Sequence, residues 1–111
     1  MKDERKVIRQ GDVMLVPIAA IPEKVRPAAP ENGRYIIAHG EVTGHHHSFR
    51  MTDTITMFRE DGSGGGLFLN ATAPAALEHQ EHTTLNLEPG AWKVVRQRTA
   101  TSTGLSRRVA D

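Results

Sequence analysis

The sequence predicts an all-β fold, a small single-domain barrel or sandwich of about six to eight short strands. Three observations lead there. Short apolar runs rich in β-branched residues recur along the chain, each bounded by glycine, proline or asparagine. Several of them alternate polar and apolar side chains, the period of a strand with one face buried. No stretch carries the 3.6-residue apolar period of an amphipathic helix, and the alanine-rich segment that comes nearest is broken by Pro74.

The elements follow in order. Val7-Ile8-Arg9-Gln10 leads through Gly11-Asp12 into Val13-Met14-Leu15-Val16-Pro17-Ile18, a buried strand whose Pro17 marks an edge or bend. From Ile21 onward, Pro22, Pro27 and Pro30 disfavour helix and predict an extended loop. Asn32-Gly33 is a turn signal, and Arg34-Tyr35-Ile36-Ile37-Ala38-His39 is the next strand. Thr54-Ile55-Thr56-Met57-Phe58-Arg59 is a strand, Asp61-Gly62-Ser63-Gly64-Gly65-Gly66 a hairpin tip, and Leu67-Phe68-Leu69-Asn70 the return. The glycine run lacks the Gly-Lys-Ser/Thr ending and the following helix of a phosphate loop, so it reads as a linker. The segment 71–77 is expected to hold at most one helical turn, with strand as the alternative. Thr83-Thr84-Leu85-Asn86-Leu87 alternates, and Glu88-Pro89-Gly90 turns the chain into the last strand, Ala91 to Arg98. A bulge is expected where the alternation slips between Val94 and Val95.

At 111 residues the chain can bury one core but not two. One domain is expected over 1–111, with 1–5 and 99–111 flexible or peripheral. Fourteen Lys and Arg nearly cancel thirteen Asp and Glu, which removes the global basic bias of a nucleic-acid-binding protein. A nucleic-acid partner would rest on Arg96, Arg98, Arg107 and Arg108 alone and is not favoured, since a charge run is usually a solvated face. A small-molecule or protein partner is expected, its identity not carried by the sequence. No cysteine means no disulfide, iron–sulfur cluster or thiolate chemistry, which fits a cytoplasmic protein. No segment approaches the roughly 20 apolar residues that span a bilayer, and no membrane partner is expected.

The chemistry gathers in two clusters. Gly40-Glu41-Val42-Thr43-Gly44-His45-His46-His47-Ser48-Phe49 places three histidines behind a turn with two glycines, and Glu78-His79-Gln80-Glu81-His82 follows about thirty residues on. If Val42 to Arg50 enters a strand, His45 and His47 share a face about 6–7 Å apart, and His46 points away. Two imidazoles so spaced suit one metal ion, whose bonds to nitrogen are about 2 Å long. The expected metal ligands are His45, His47, His79 and His82, for a divalent ion, zinc ahead of iron or manganese. The bland alternative is a solvated polar loop, which is the reading preferred for His46. Neither a Cys-x-x-Cys nor a His-Glu-x-x-His pattern is present.

With these pieces in order, the chain resembles a family of small, uncharacterised bacterial and phage proteins. The matching residues are Arg9-Gln10-Gly11-Asp12-Val13 with Pro17, Gly40 to His47, His79-Gln80-Glu81-His82, Pro89-Gly90, Val95-Arg96-Gln97-Arg98 and Arg108-Val109-Ala110-Asp111. The resemblance implies that His45, His47, His79 and His82, with Glu41 and Glu81, sit at the motif positions. Relatives usually carry an acid where Gln80 stands and acidic and aromatic residues where Thr99-Ala100 stand. A weaker, partial resemblance is to the cupins, through Gly40 and His45-x-His47. Their glycine-to-histidine spacing is one residue longer, no glutamate follows His47 at the cupin offset, and the second cupin motif is absent.

Two functions compete for such a site. A metal-dependent hydrolase would use Glu41 or Glu81 as general base beside the metal. A non-enzymatic binding or interaction module would use the metal as a structural clamp, or use none. Serine nucleophilic catalysis is disfavoured, because Ser48 adjoins His47 on a strand and so faces away from it.

Overall fold

The computed structural model describes residues 5–39, 44–61, 66–96, 99–100 and 106–107. They form strands and turns, with no helix among them. The strands are β1 (Ile8–Gln10), β2 (Val13–Ile18), β3 (Val25–Pro27), β4 (Arg34–His39), β5 (His46–Arg50) and β6 (Ile55–Glu60). They continue with β7 (Leu67–Ala71), β8 (Ala75–Leu77), β9 (Leu85–Leu87), β10 (Gly90–Arg96) and the two-residue strands β11 (Thr99–Ala100) and β12 (Ser106–Arg107). This exceeds the expected six to eight because β1, β3, β8 and β9 are three-residue strands, too short to show alternation.

Six strands make one antiparallel sheet in the order β1-β2-β10-β7-β6-β3. The hairpin β4-β5 and the hairpin β8-β9 are joined by a bridge between Ser48 and Glu78, giving a second layer ordered β4-β5-β8-β9. The sheets do not close into a barrel. One hydrophobic cluster draws on both layers: Val13, Leu15, Met57, Leu69 and Trp92 from the large sheet, Ile37, Phe49, Leu77 and Leu87 from the small one. The register explains its centre, since Met57 stands opposite Leu69 and Leu69 opposite Trp92, a continuous apolar row across β6, β7 and β10. Trp92 is fully buried and satisfies its indole by donating to the Glu88 carbonyl at 2.9 Å.

Two turns follow from their residues. Asn32 (φ 51°) and Gly33 (φ 75°) both take the left-handed conformation that a type I′ hairpin requires, and Glu31 and Arg34 exchange backbone hydrogen bonds across it. Between β1 and β2 the loop is Gly11-Asp12, with positive φ at Gly11 and not at Asp12, the pattern of a type II′ turn. That tight turn delivers Gln10 and Asp12 into the interior, 3% and 2% exposed.

Several expectations are corrected. The segment 71–77, expected to hold at most one helical turn with strand as the alternative, takes the alternative: Ala75–Leu77 is β8, paired with β9. The proline-rich loop contains β3, which completes the edge of the large sheet against β6. β10 pairs with β2 without a shift through Val94 and Val95; the irregularity lies in β4, between Ile36 and Ala38. Arg5, expected in a flexible or peripheral segment, is fixed to the sheet. It donates to the carbonyls of Ala91 (3.0 Å) and Ile18 (2.9 Å) and lies 4.8 Å over the Trp92 ring. Pro17 stands beyond the reach of β1, which pairs only with Val13 to Leu15, so its missing N–H costs no ladder bond on that side. The glycine-rich tip at 62–65 and most of the tail, 97–98, 101–105 and 108–111, lie outside the described residues. No helix among the described residues is long and apolar enough to cross a membrane.

Candidate metal centre

The two histidine clusters meet because of one backbone bridge. Ser48 donates its N–H to the Glu78 carbonyl at 3.0 Å, and Glu78 returns the bond to Ser48 at 2.9 Å. In an antiparallel pair the residues one step out from such a bridge, His47 and His79, stand opposite each other on a common face. Their ring centroids are 4.4 Å apart, and His82 closes the group at 4.6 Å from His79 and 5.8 Å from His47. Two imidazoles bound to one zinc through nitrogen have centroids about 5 Å apart, given Zn–N bonds near 2 Å.

His47 is fully buried, and its surroundings decide its protonation. Gln10 donates both amide hydrogens, to the Leu77 carbonyl at 3.0 Å and the Thr83 carbonyl at 2.9 Å. Its oxygen is thereby turned to His47 Nδ1 at 2.8 Å, so Nδ1 is the protonated nitrogen and Nε2 carries the lone pair. Burial, reinforced by the neighbouring His79, lowers the His47 pKa from 6.5 to about 4, against the opposing pull of Asp12. The ring is neutral at pH 7, the state a metal ligand requires.

Nε2 of His47 faces Asp12 Oδ1 at 3.7 Å. The other Asp12 oxygen accepts from Arg96 Nε at 2.9 Å, and Arg96 reaches on to the His39 carbonyl at 2.7 Å. Gln10 and Asp12 were given no role by sequence reasoning, and Arg96 was weighed only as a nucleic-acid contact, although all three lie in stretches that carry the family resemblance. Their signal was the polar Gln10-Gly11-Asp12 turn wedged between two apolar runs.

The remaining histidines divide. His45 precedes β5 rather than lying in it; its ring meets His79 edge-on at 5.7 Å, and its Nδ1 is 3.7 Å from Glu81 Oε1. His46 packs against His39 at 6.5 Å, and its Nε2 is 3.3 Å from the Gln80 amide nitrogen. It takes no part in the buried cluster. Glu81 stands at the rim, its side chain 56% exposed. Glu41 lies outside the described residues.

The donor set fits a metal in part. Nε2 of His82 is buried with no hydrogen-bond partner among the described residues, and Nε2 of His47 carries a lone pair by the tautomer argument. His79 requires a change. Its Nδ1 accepts the Glu81 backbone N–H at 3.0 Å, which places the ring proton on Nε2, so coordination there means giving up that bond and turning the ring. Accordingly, no group of three or more His, Asp or Glu among the described residues is already gathered around one point.

Beside the cluster lies a cleft of about 250 Å³ lined by Arg34, His46, Ser48, Glu78, His79 and Gln80. Arg34 donates to Ser48 Oγ at 3.0 Å and to Glu78 Oε1 at 2.9 Å. That hydrogen bond holds the Glu78 carboxyl below its usual range, so it is charged at neutral pH. Comparison with curated proteins and with solved structures finds no match. A family model does match, over residues 9–97, and covers every described residue of the histidine centre: the chain belongs to the family of the domain of unknown function DUF8820.

Proposed function

We propose that this protein is a divalent-metal-binding β domain, with His47, His79 and His82 as nitrogen ligands and zinc as the ion the donors suit best. One observation carries the reading: three imidazoles from two separate segments pack together, His47 and His79 buried and His82 half-buried, and the innermost is held neutral with its tautomer set by Gln10. A buried polar cluster without a role would cost stability, since each imidazole must be desolvated. His45 belongs to the rim of this centre, one ring beyond His79 and next to Glu81.

A hydrolytic use of the centre is the second reading, favoured by the exposed Glu81 carboxylate at the rim and by the cleft whose wall includes His79. A bound zinc ion would supply Lewis acidity there. Glu81 would accept a proton at its carboxylate, and the Arg34–Glu78 pair would hold the polar part of a substrate.

The test is metal analysis of untagged protein purified without nickel resin, followed by titration of metal-free protein with zinc, iron(II) and manganese(II). Tight uptake of one ion per chain is the expected result. Failure of all three to bind would sink the proposal. For the hydrolytic reading, Glu81→Gln should keep the metal and lose turnover on a panel of ester, amide and phosphodiester substrates. Absence of metal-dependent turnover by the unsubstituted protein on every one of them rejects it.

A further inference from the structure

The sequence clusters offer only histidines and glutamates near each other in the chain, but the fold adds a carboxylate from a distant turn. Asp12 is 2% exposed, and a buried carboxylate needs partners of opposite charge to remain ionised. One is Arg96, whose Nε donates to Oδ2 at 2.9 Å. The other oxygen, Oδ1, points to the Nε2 of His47 at 3.7 Å. Because Gln10 commits the His47 proton to Nδ1, these two facing atoms are both electron-pair donors. Two donors that share one zinc at bonds of about 2.1 Å and a tetrahedral angle stand about 3.4 Å apart. The observed gap is wider by a few tenths of an ångström, within reach of a small side-chain adjustment.

We propose that Asp12 is the fourth ligand of the metal held by His47, His79 and His82, with Gln10 and Arg96 as its positioning residues; the inference rests on the metal-binding reading above. Each positioning residue has a stated job. Gln10 keeps Nε2 of His47 deprotonated and aimed inward, the role that outer partners play for ligating histidines. Arg96 holds Oδ2, which sets Oδ1 as the carboxylate oxygen beside His47 Nε2. Four protein ligands close a tetrahedral shell, and a closed shell is the mark of a structural zinc site. The metal would then bind the β1–β2 turn of the large sheet to β5 and the segment after β8 of the small one.

The experiment has two arms. In the first, the zinc-loaded full chain is crystallised and the metal located by anomalous scattering; Asp12 Oδ1 is expected about 2.0–2.2 Å from it. In the second, cobalt(II) is titrated into metal-free wild type, Asp12→Asn and Gln10→Leu, and its visible absorption is followed. Asp12→Asn keeps the size and an acceptor for Arg96, yet should weaken cobalt binding at least about 100-fold and change the ligand-field spectrum. Gln10→Leu should weaken binding about 10- to 100-fold with the spectrum kept, because the ligands are unchanged. A zinc ion bound by the three histidines with water in place of Asp12, or a cobalt spectrum and affinity unchanged in Asp12→Asn, overturns the inference and leaves the three-histidine site standing. A wild-type chain that takes up neither ion overturns both. The crystallographic arm decides even if Asp12→Asn fails to fold.

Discussion

Acid should loosen the metal-free protein well before its carboxylates titrate, and His47 is the cause. The unfolded chain binds a proton at His47 near pH 6.5, whereas the folded chain resists until about pH 4. Between those values the unfolded state holds more protons, so stability falls as pH falls through this window and is intact above it. Each tenfold change in proton affinity is worth about 1.4 kcal/mol, so the full loss on going below pH 4 is about 3 kcal/mol. Between pH 7 and pH 5 the expected share is about 2 kcal/mol, a large part of the 5–15 kcal/mol typical of a domain. His46 is lowered in the same direction, chiefly by partial burial and by Arg34, and adds to the effect. Glu78 acts with the same sign but in a lower window: its lowered pKa gives stability that is present above 4.5 and lost only as the pH falls further, so it stays outside the range from pH 7 to pH 5. The assay is urea unfolding at pH 7, 6 and 5 in the presence of a chelator, for the wild type and for His46→Ala. A loss of less than about 0.5 kcal/mol in His46→Ala across that range, or a His47 resonance titrating near 6.5 by nuclear magnetic resonance, refutes the reasoning.

Three further outcomes are expected. Zinc at a hundredfold excess over its Kd should stabilise the fold by about 2.7 kcal/mol and raise Tm by roughly 10 °C or more, read by scanning calorimetry; an unchanged Tm counts against the centre. His46→Ala should leave zinc affinity unchanged while His47→Ala, His79→Ala and His82→Ala each cut it sharply in isothermal titration; equal losses from all four would mean a loop that binds without a defined geometry. Arg5→Ala should cost about 2 kcal/mol in urea unfolding, from two carbonyl bonds and the contact with Trp92, and should shift the fluorescence of that sole tryptophan. A change below about 0.5 kcal/mol would show that Arg5 is ornamental.

The all-β class was legible because turn chemistry and strand alternation are local. Asn32-Gly33 names its own type I′ turn, and Thr54 to Phe58 writes its buried face directly. What was not legible depended on partners. Ala75 to Leu77 carries a composition fit for helix or strand, and only pairing with β9 settles it. Val25 to Pro27 looks like loop until β6 offers it an edge. The site divides the same way. His47, His79 and His82 were legible as residue type and spacing, but their meeting rests on the Ser48–Glu78 bridge, a long-range register. Gln10 acts across 37 residues on His47, and Arg96 across 84 on Asp12, distances at which sequence spacing carries no geometric information.

A metal at this point would answer a need that the composition creates. The chain has no cysteine, so no disulfide can tie its layers together. A domain of this size has a modest core, and small folds commonly add a covalent or metal staple to it. The two layers already share one polar tie, because Gln10 of the large sheet donates to the Leu77 and Thr83 carbonyls on either side of the second histidine cluster. The same Gln10 orients His47. One side chain therefore both registers the sheets and sets the state of the innermost imidazole, and an error in either would disturb the other. That coupling is what a clamp requires: the layers must be in place before the donors converge, and the bound ion then holds the layers. A catalytic site has no such need, since its metal serves the substrate and can sit on one element. The position of the histidine centre, across the junction of β1–β2 with β5 and β8, accordingly weighs toward a structural metal.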